Sequence, residues 1–206
     1  MKSNKDRTAE KKIQRFIQDK IDNFKLAQKS KLVYQRIRKD IPLSQNPNTT
    51  FLTLEEAIRS VIIKTVDGGS GDLLEHLICI YSPRAKEHPG HCKGFDVELV
   101  KPSAIADIKM ADNTVKFSDM SKTCQKIKDK AAEKGCPTGV IIQWYGKSDS
   151  EKKDSQTNVS IYSGKAAREY LKISDEDARK IQSYIQNYRI TTIQRLTGLV
   201  KDQLKK

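Results

Sequence analysis

Midway along the chain the spacing of apolar residues changes period, and that change restricts the fold more than any other feature. Before it, Ile13, Phe16, Ile17, Ile21 and Phe24 recur at helical intervals, which puts them on one stripe. From residue 93 onward, Phe95-Asp96-Val97-Glu98-Leu99-Val100 alternates as a strand does. Lys101-Pro102-Ser103 reads as a turn, and Ala104 to Met110 as a second strand, apolar on both faces until its end. Met120 to Lys134 returns to the helical period with Met120, Cys124, Ile127 and Ala131 as its buried stripe, and Gly135 and Pro137 stop it. Val140-Ile141-Ile142-Gln143-Trp144-Tyr145 is apolar enough for the middle of a sheet, and Asn158 to Tyr162 is a short further strand. The order predicts an α/β fold: a central mixed β-sheet flanked by helices, with additional N- and C-terminal helices.

The outer segments read as helices joined by breaks. A basic helical stretch is expected over Lys29 to Lys39, then a loop marked by Pro42, Pro47 and the polar run Ser44 to Thr50. Thr53 with Glu56 three residues later forms a capping box, opening a helix with Leu54, Ala57, Ile58, Val61 and Ile62 on its apolar face. Gly68-Gly69-Ser70-Gly71 is expected to break that helix, with a new one from near Asp72 burying Leu74, Leu77, Ile78 and Tyr81. Gly146 to Gln156 is charged and expected as a flexible loop. Ser174 caps a helix carrying Ala178, Ile181, Ile185 and Tyr188, and another helical piece leads into a lysine-rich tail. At 206 residues the chain suits one domain: a helical N-terminal region over 1–67, an α/β core over 68–165 and C-terminal helices over 166–206.

Lys and Arg number 39 against 26 Asp and Glu, a formal net charge of +13. Such a field attracts polyanions, since neutralising phosphates releases condensed counterions. Solubility alone would also use it, so charge does not choose a function. No apolar run approaches the ~18 residues of a membrane span. The segment MKSNKDRTAEKK has no apolar stretch of the kind a signal peptide needs. The expectation is a cytoplasmic protein with no membrane partner. Cys79, Cys92, Cys124 and Cys136 include no CxxC pair and are expected as reduced thiols, with His88-Pro89-Gly90-His91-Cys92 a plain loop.

Chemistry concentrates on the two strands from 95 to 109. Asp107 and Lys109 are two apart on one strand, so both point to one face, and pairing across the turn at 101–103 could bring Asp96 close to Asp107. Two carboxylates beside an ammonium suit a hard divalent cation such as Mg²⁺ and an attacking water, with the lysine orienting that water. Charges in an otherwise apolar strand are expensive unless used or paired. The plain alternative is an edge strand whose Asp107 and Lys109 face water. Glu75 lies beside Leu74, Leu77 and Ile78, and either points into this site or is a solvated helix glutamate. Asn113, Thr114 and Lys116 follow the strand and would donate to phosphate or base edges, or form an ordinary polar turn. Lys122, Lys126, Lys130 and Lys134 form a ridge that is a solvated face or a phosphate track.

The block from Asp96 to Lys109 resembles the signature of the PD-(D/E)xK nuclease superfamily in its D…DxK form, on the strand–strand–helix–strand order of that superfamily. Phe95 stands where a proline usually precedes the first aspartate. Lys109-Met110-Ala111-Asp112-Asn113-Thr114-Val115-Lys116 is similar to a lysine-then-Asn-Thr segment of some type II restriction endonucleases. The resemblance covers about residues 68 to 145 and implies a restriction-endonuclease-like core. By it, Asp96 and Asp107 bind Mg²⁺, Lys109 assists the water, and Glu75 occupies the place of an additional acidic residue. The activity it implies is that of a type II restriction endonuclease. Such an enzyme hydrolyses phosphodiesters with Mg²⁺ at a short specific site in double-stranded DNA, as a homodimer if the site is palindromic. The alternatives are a structure-specific nuclease of DNA repair or recombination, and a non-catalytic basic DNA-binding protein.

Overall fold

The strand-rich middle of the chain forms a six-stranded mixed sheet in the order β1-β2-β3-β4-β6-β5. Its strands are β1 (Ala85–Lys86), β2 (Val97–Leu99), β3 (Ala104–Lys109), β4 (Gly139–Gln143), β5 (Glu151–Lys153) and β6 (Ser160–Ser163). The helices are α1 (Asn4–Lys29), α2 (Leu54–Tyr81), α3 (Phe117–Glu133), α4 (Gly164–Tyr170) and α5 (Asp175–Leu204). This is a computed structural model, which describes residues 3–29, 54–86, 95–110, 117–146 and 149–204. The α/β class and the mixed sheet are as expected. Neighbours β3, β4 and β6 run parallel, while β1, β2 and β5 join antiparallel at the two sides.

By internal contacts the chain forms two compact units, Met1–Asp6 with Gly71–Ser183, and Arg7–Ser70 with Tyr184–Lys206. The first holds the whole sheet. Its central strand β4 is buried at all five positions, as an apolar run enclosed on both faces must be. The stripe of α3 lies on the sheet: Cys124, Ile127 and Ala131 join Phe95, Ile105, Ile141 and Val159 in one cluster, with Met120 packed against it. Gly135, at φ 64, takes the left-handed conformation that closes α3. In the same unit Ser174 Oγ accepts the Asp177 N–H at 3.1 Å, so the expected cap of α5 is present. Ser3 and Asp6 cap α1 reciprocally, the N–H of each donating to the side chain of the other at 3.2 and 3.1 Å.

Three expectations are overturned. The glycine run 68–71 does not break a helix, because α2 is continuous from Leu54 to Tyr81. Interior glycine weakens a helix by about 1 kcal/mol, but packing decides here: a Cβ on Gly69 would lie 2.2 Å from Tyr188 Oη and 2.5 Å from Lys20 Cε, all within the second unit. Absence of a side chain lets neighbouring groups approach. The segment 146–156 is not all loop, since β5 pairs with β6 from Glu151 to Lys153, and its exposed charges suit an outer strand. Finally, the helix that Ser174 caps and the further helical piece expected after it are one helix of 30 residues. Tyr188, Thr192, Leu196 and Val200 continue its buried stripe where a second helical piece was expected.

Strand β1 and helix α4 were not foreseen. Residues 30–53 lie outside the described residues, and with them the expected basic helix, the loop after it and Thr53 of the capping box. Among the described residues Cys79, Cys124 and Cys136 form no disulfide, while Cys92 and the segment 88–92 lie outside the described residues. Among the described residues no helix is long and apolar enough to cross a membrane.

Candidate active site

Strand β3 carries the site through its C-terminal half. Its first five residues are buried and Lys109 is partly exposed. Asp107 is 8% exposed. Alternation puts Asp107 and Lys109 on one face, and Lys109 Nζ lies 2.8 Å from Asp107 Oδ2. The ion pair gives this enclosed carboxylate a partner of opposite charge at contact distance.

Asp96 precedes β2 by one residue. Its N–H donates to the Ala106 carbonyl at 2.9 Å, and Val97 pairs with Ala106, so Asp96 comes level with Asp107 on the adjacent strand. Asp96 Oδ2 accepts the Ile108 N–H at 2.7 Å, which fixes the carboxylate. The Asp96 and Asp107 side chains therefore stand side by side on one face of the paired strands. Burial, and then the Asp107 charge, push the Asp96 pKa up to about 7, against the Ile108 N–H and Lys109, which favour its ionised form.

Glu75, on α2, is half-buried. Its pKa is pushed up to about 8, first by burial and then by the charge of Asp96, with Asp72 and Asp107 adding and Lys109 opposing. Its charge therefore belongs to the same electrostatic cluster as the strand residues, although it is reached through a different element.

Two further residues join the site and were missed in the sequence. In the parallel ladder Lys109 pairs with Gln143, and Gln143 with Ser163, forming a polar row at the C-terminal ends of β3, β4 and β6. The Ser163 hydroxyl donates to Gln143 Oε1 at 2.5 Å, which leaves the amide Nε2 as the donor for a neighbour. The only sequence signal was a glutamine closing an apolar run. Ligands of open α/β sheets gather at such strand ends.

The remaining sequence candidates stand apart or undescribed. Lys122 and Lys126 are exposed on α3, off its buried stripe. Asn113, Thr114 and Lys116 lie outside the described residues. Among the described residues no group of three or more His, Cys, Asp or Glu is arranged to hold a metal ion. Asp96 and Asp107 are a pair rather than a cage. That suits Mg²⁺, which is usually held by one or two carboxylates and takes waters and substrate phosphates for the rest.

No protein-family model and no curated protein matches the chain.

Proposed function

We propose that the chain is a Mg²⁺-dependent endodeoxyribonuclease of the type II restriction class, cutting double-stranded DNA at a short specific site. The observation that carries this reading is the side-by-side approach of the Asp96 and Asp107 carboxylates, with Lys109 Nζ at 2.8 Å from Asp107. Support also comes from the strand–strand–helix–strand order of β2, β3, α3 and β4 and from the net charge of +13.

Asp96 and Asp107 would hold the cation. When bound, Mg²⁺ lowers the pKa of an attacking water and stabilises charge on the pentacovalent phosphorus. The chain's own groups do the rest. The Ile108 N–H fixes the Asp96 carboxylate, so the ligand does not reorganise on binding. Lys109 neutralises Asp107 in the free protein, and its ammonium then stands beside the reacting phosphate to orient the water. Gln143, anchored by Ser163, offers its Nε2 donor along the same row to a phosphate oxygen. A palindromic target would demand a homodimer with one such site per strand.

The test is incubation of the purified protein with unmethylated plasmid and phage DNA, in Mg²⁺ or in EDTA. Discrete fragments with Mg²⁺ alone are the expected result. A smear would favour the repair or recombination nuclease. Intact DNA that the protein nevertheless binds would favour a non-catalytic DNA-binding protein.

A further inference from the structure

The second unit contains a groove of about 670 Å³ between α1 and α5. Its lining holds three cations, Arg7, Lys11 and Arg15, against one carboxylate, Glu10. The three cations are exposed, and among the described residues none of them makes an ion pair. Like charges left this close on one helix face destabilise it by a few tenths of a kcal/mol per pair. That arrangement makes sense if something anionic completes it. Opposite them, α5 contributes Asn187 and Tyr184, which offer an amide and an aromatic ring at the groove wall.

We infer that this groove is a docking track for the sugar-phosphate backbone of duplex DNA, separate from the carboxylate pair; the inference rests on the nuclease reading for its choice of polyanion. Arg7, Lys11 and Arg15 are four residues apart on a continuous helix. Each step is therefore about 6 Å along the axis and the row spans about 12 Å. That matches the separation of neighbouring phosphates along one strand, so the row addresses up to three of them. Arginine grips a phosphate with two parallel N–H bonds, and lysine serves as a point charge. Contacts of this kind hold and orient the duplex without reading its sequence. In this groove a second copy of the chain is the poorer occupant, since a chain of +13 meets three cations there; a dimer would form through another face.

Three glutamines test it: Arg7→Gln, Lys11→Gln and Arg15→Gln together, all at exposed helix positions where glutamine is a good helix former. The control replaces three exposed cations elsewhere in the same unit, Arg59→Gln, Lys64→Gln and Arg195→Gln, with the same change in charge. Binding of a labelled 24-base-pair duplex is measured by anisotropy in EDTA over a range of salt. The groove variant should lose about 2.7 from the slope of log K against log salt, three phosphates at 0.9 each. The control should keep a slope close to wild type. Equal losses in both variants would overturn the inference, because net charge alone would then explain them. So would an unchanged slope in the groove variant while polyglutamate binding falls, which would assign the groove to an acidic protein. Wild-type protein that neither binds nor cuts duplex DNA would instead sink the nuclease reading.

Discussion

Strands β3 and β5 both carry charged side chains, Asp107 and Lys109 in one and Glu151, Lys152 and Lys153 in the other. Yet β3 is buried along most of its length and β5 is exposed throughout. On β5 the charges stay in water, where they cost little and discourage pairing with another chain. On β3 a carboxylate is taken out of water and a second one, Asp96, is brought against it. Ionised together, the two carboxylates cost the fold stability rather than adding to it. The same residue types in one sheet thus shield the rim and, in the interior, form the carboxylate pair on which the proposed chemistry rests; burial separates the two.

The largest expected effect sharpens the contrast in activity. Asp107→Ala or Lys109→Ala should lower the rate of DNA cleavage by about 10²–10³-fold or more, the usual loss when a transition-state group is removed. Lys152→Ala with Lys153→Ala should leave the rate within about twofold. Timed plasmid digestion at saturating Mg²⁺ reads both, and similar losses in the two strands would erase the distinction.

Next comes Gln143. Replacing it with leucine should lower kcat by about tenfold with KM little changed, since the proposed contact strengthens as charge develops on the phosphate. Gln143→Asn should recover part of that loss. An increase confined to KM would make Gln143 a simple binding group.

Stability should move the opposite way from activity. The folded pKa values of Asp96 and Glu75, about 7 and about 8, lie above those of an unfolded carboxyl. Their contribution is therefore full below about pH 4 and is lost as pH rises through 7 and 8. Asp96→Asn removes one of the converging charges while its amide oxygen can still accept the Ile108 N–H. In metal-free buffer at pH 8 it should raise Tm by about 2–4 °C, on the order of 1 kcal/mol for a chain of this size. The gain should shrink toward pH 5. A variant less stable than wild type at both pH values would mean that Asp96 has a structural role. Neutral substitution on β5, Lys152→Thr, gives the smallest effect, within about 0.5 kcal/mol in a urea titration at either pH.

Much of the interior was legible because burial writes itself into apolar pattern. The run Val140 to Ile142 and the stripe Cys124, Ile127, Ala131 gave β4 and α3 directly, and Asp107 and Lys109 were visible as charges intruding on an apolar strand. Strand β5 was not legible, since an outer strand of Glu-Lys-Lys has no apolar signature. The continuity of α2 was hidden for a different reason. Gly68 to Gly71 reads as a break by local propensity, while the contact that needs Gly69 comes from Tyr188 and Lys20, both remote in sequence. The Lys109–Gln143–Ser163 row depends on parallel register, which pattern alone does not supply. Glu75 could be read two ways from spacing, and only the folded arrangement brings its charge to bear on Asp96.

The most direct measurement is the melting temperature of wild type and Asp107→Ala at pH 8 as Mg²⁺ is titrated. If Asp96 and Asp107 form a cation site, wild type should gain about 1.4 kcal/mol, or roughly 3–6 °C, once Mg²⁺ is tenfold above its Kd, and the variant should gain almost nothing. Equal shifts in both proteins, or none in either with Mg²⁺ or Mn²⁺, would contradict the assignment of the carboxylate pair as a metal centre.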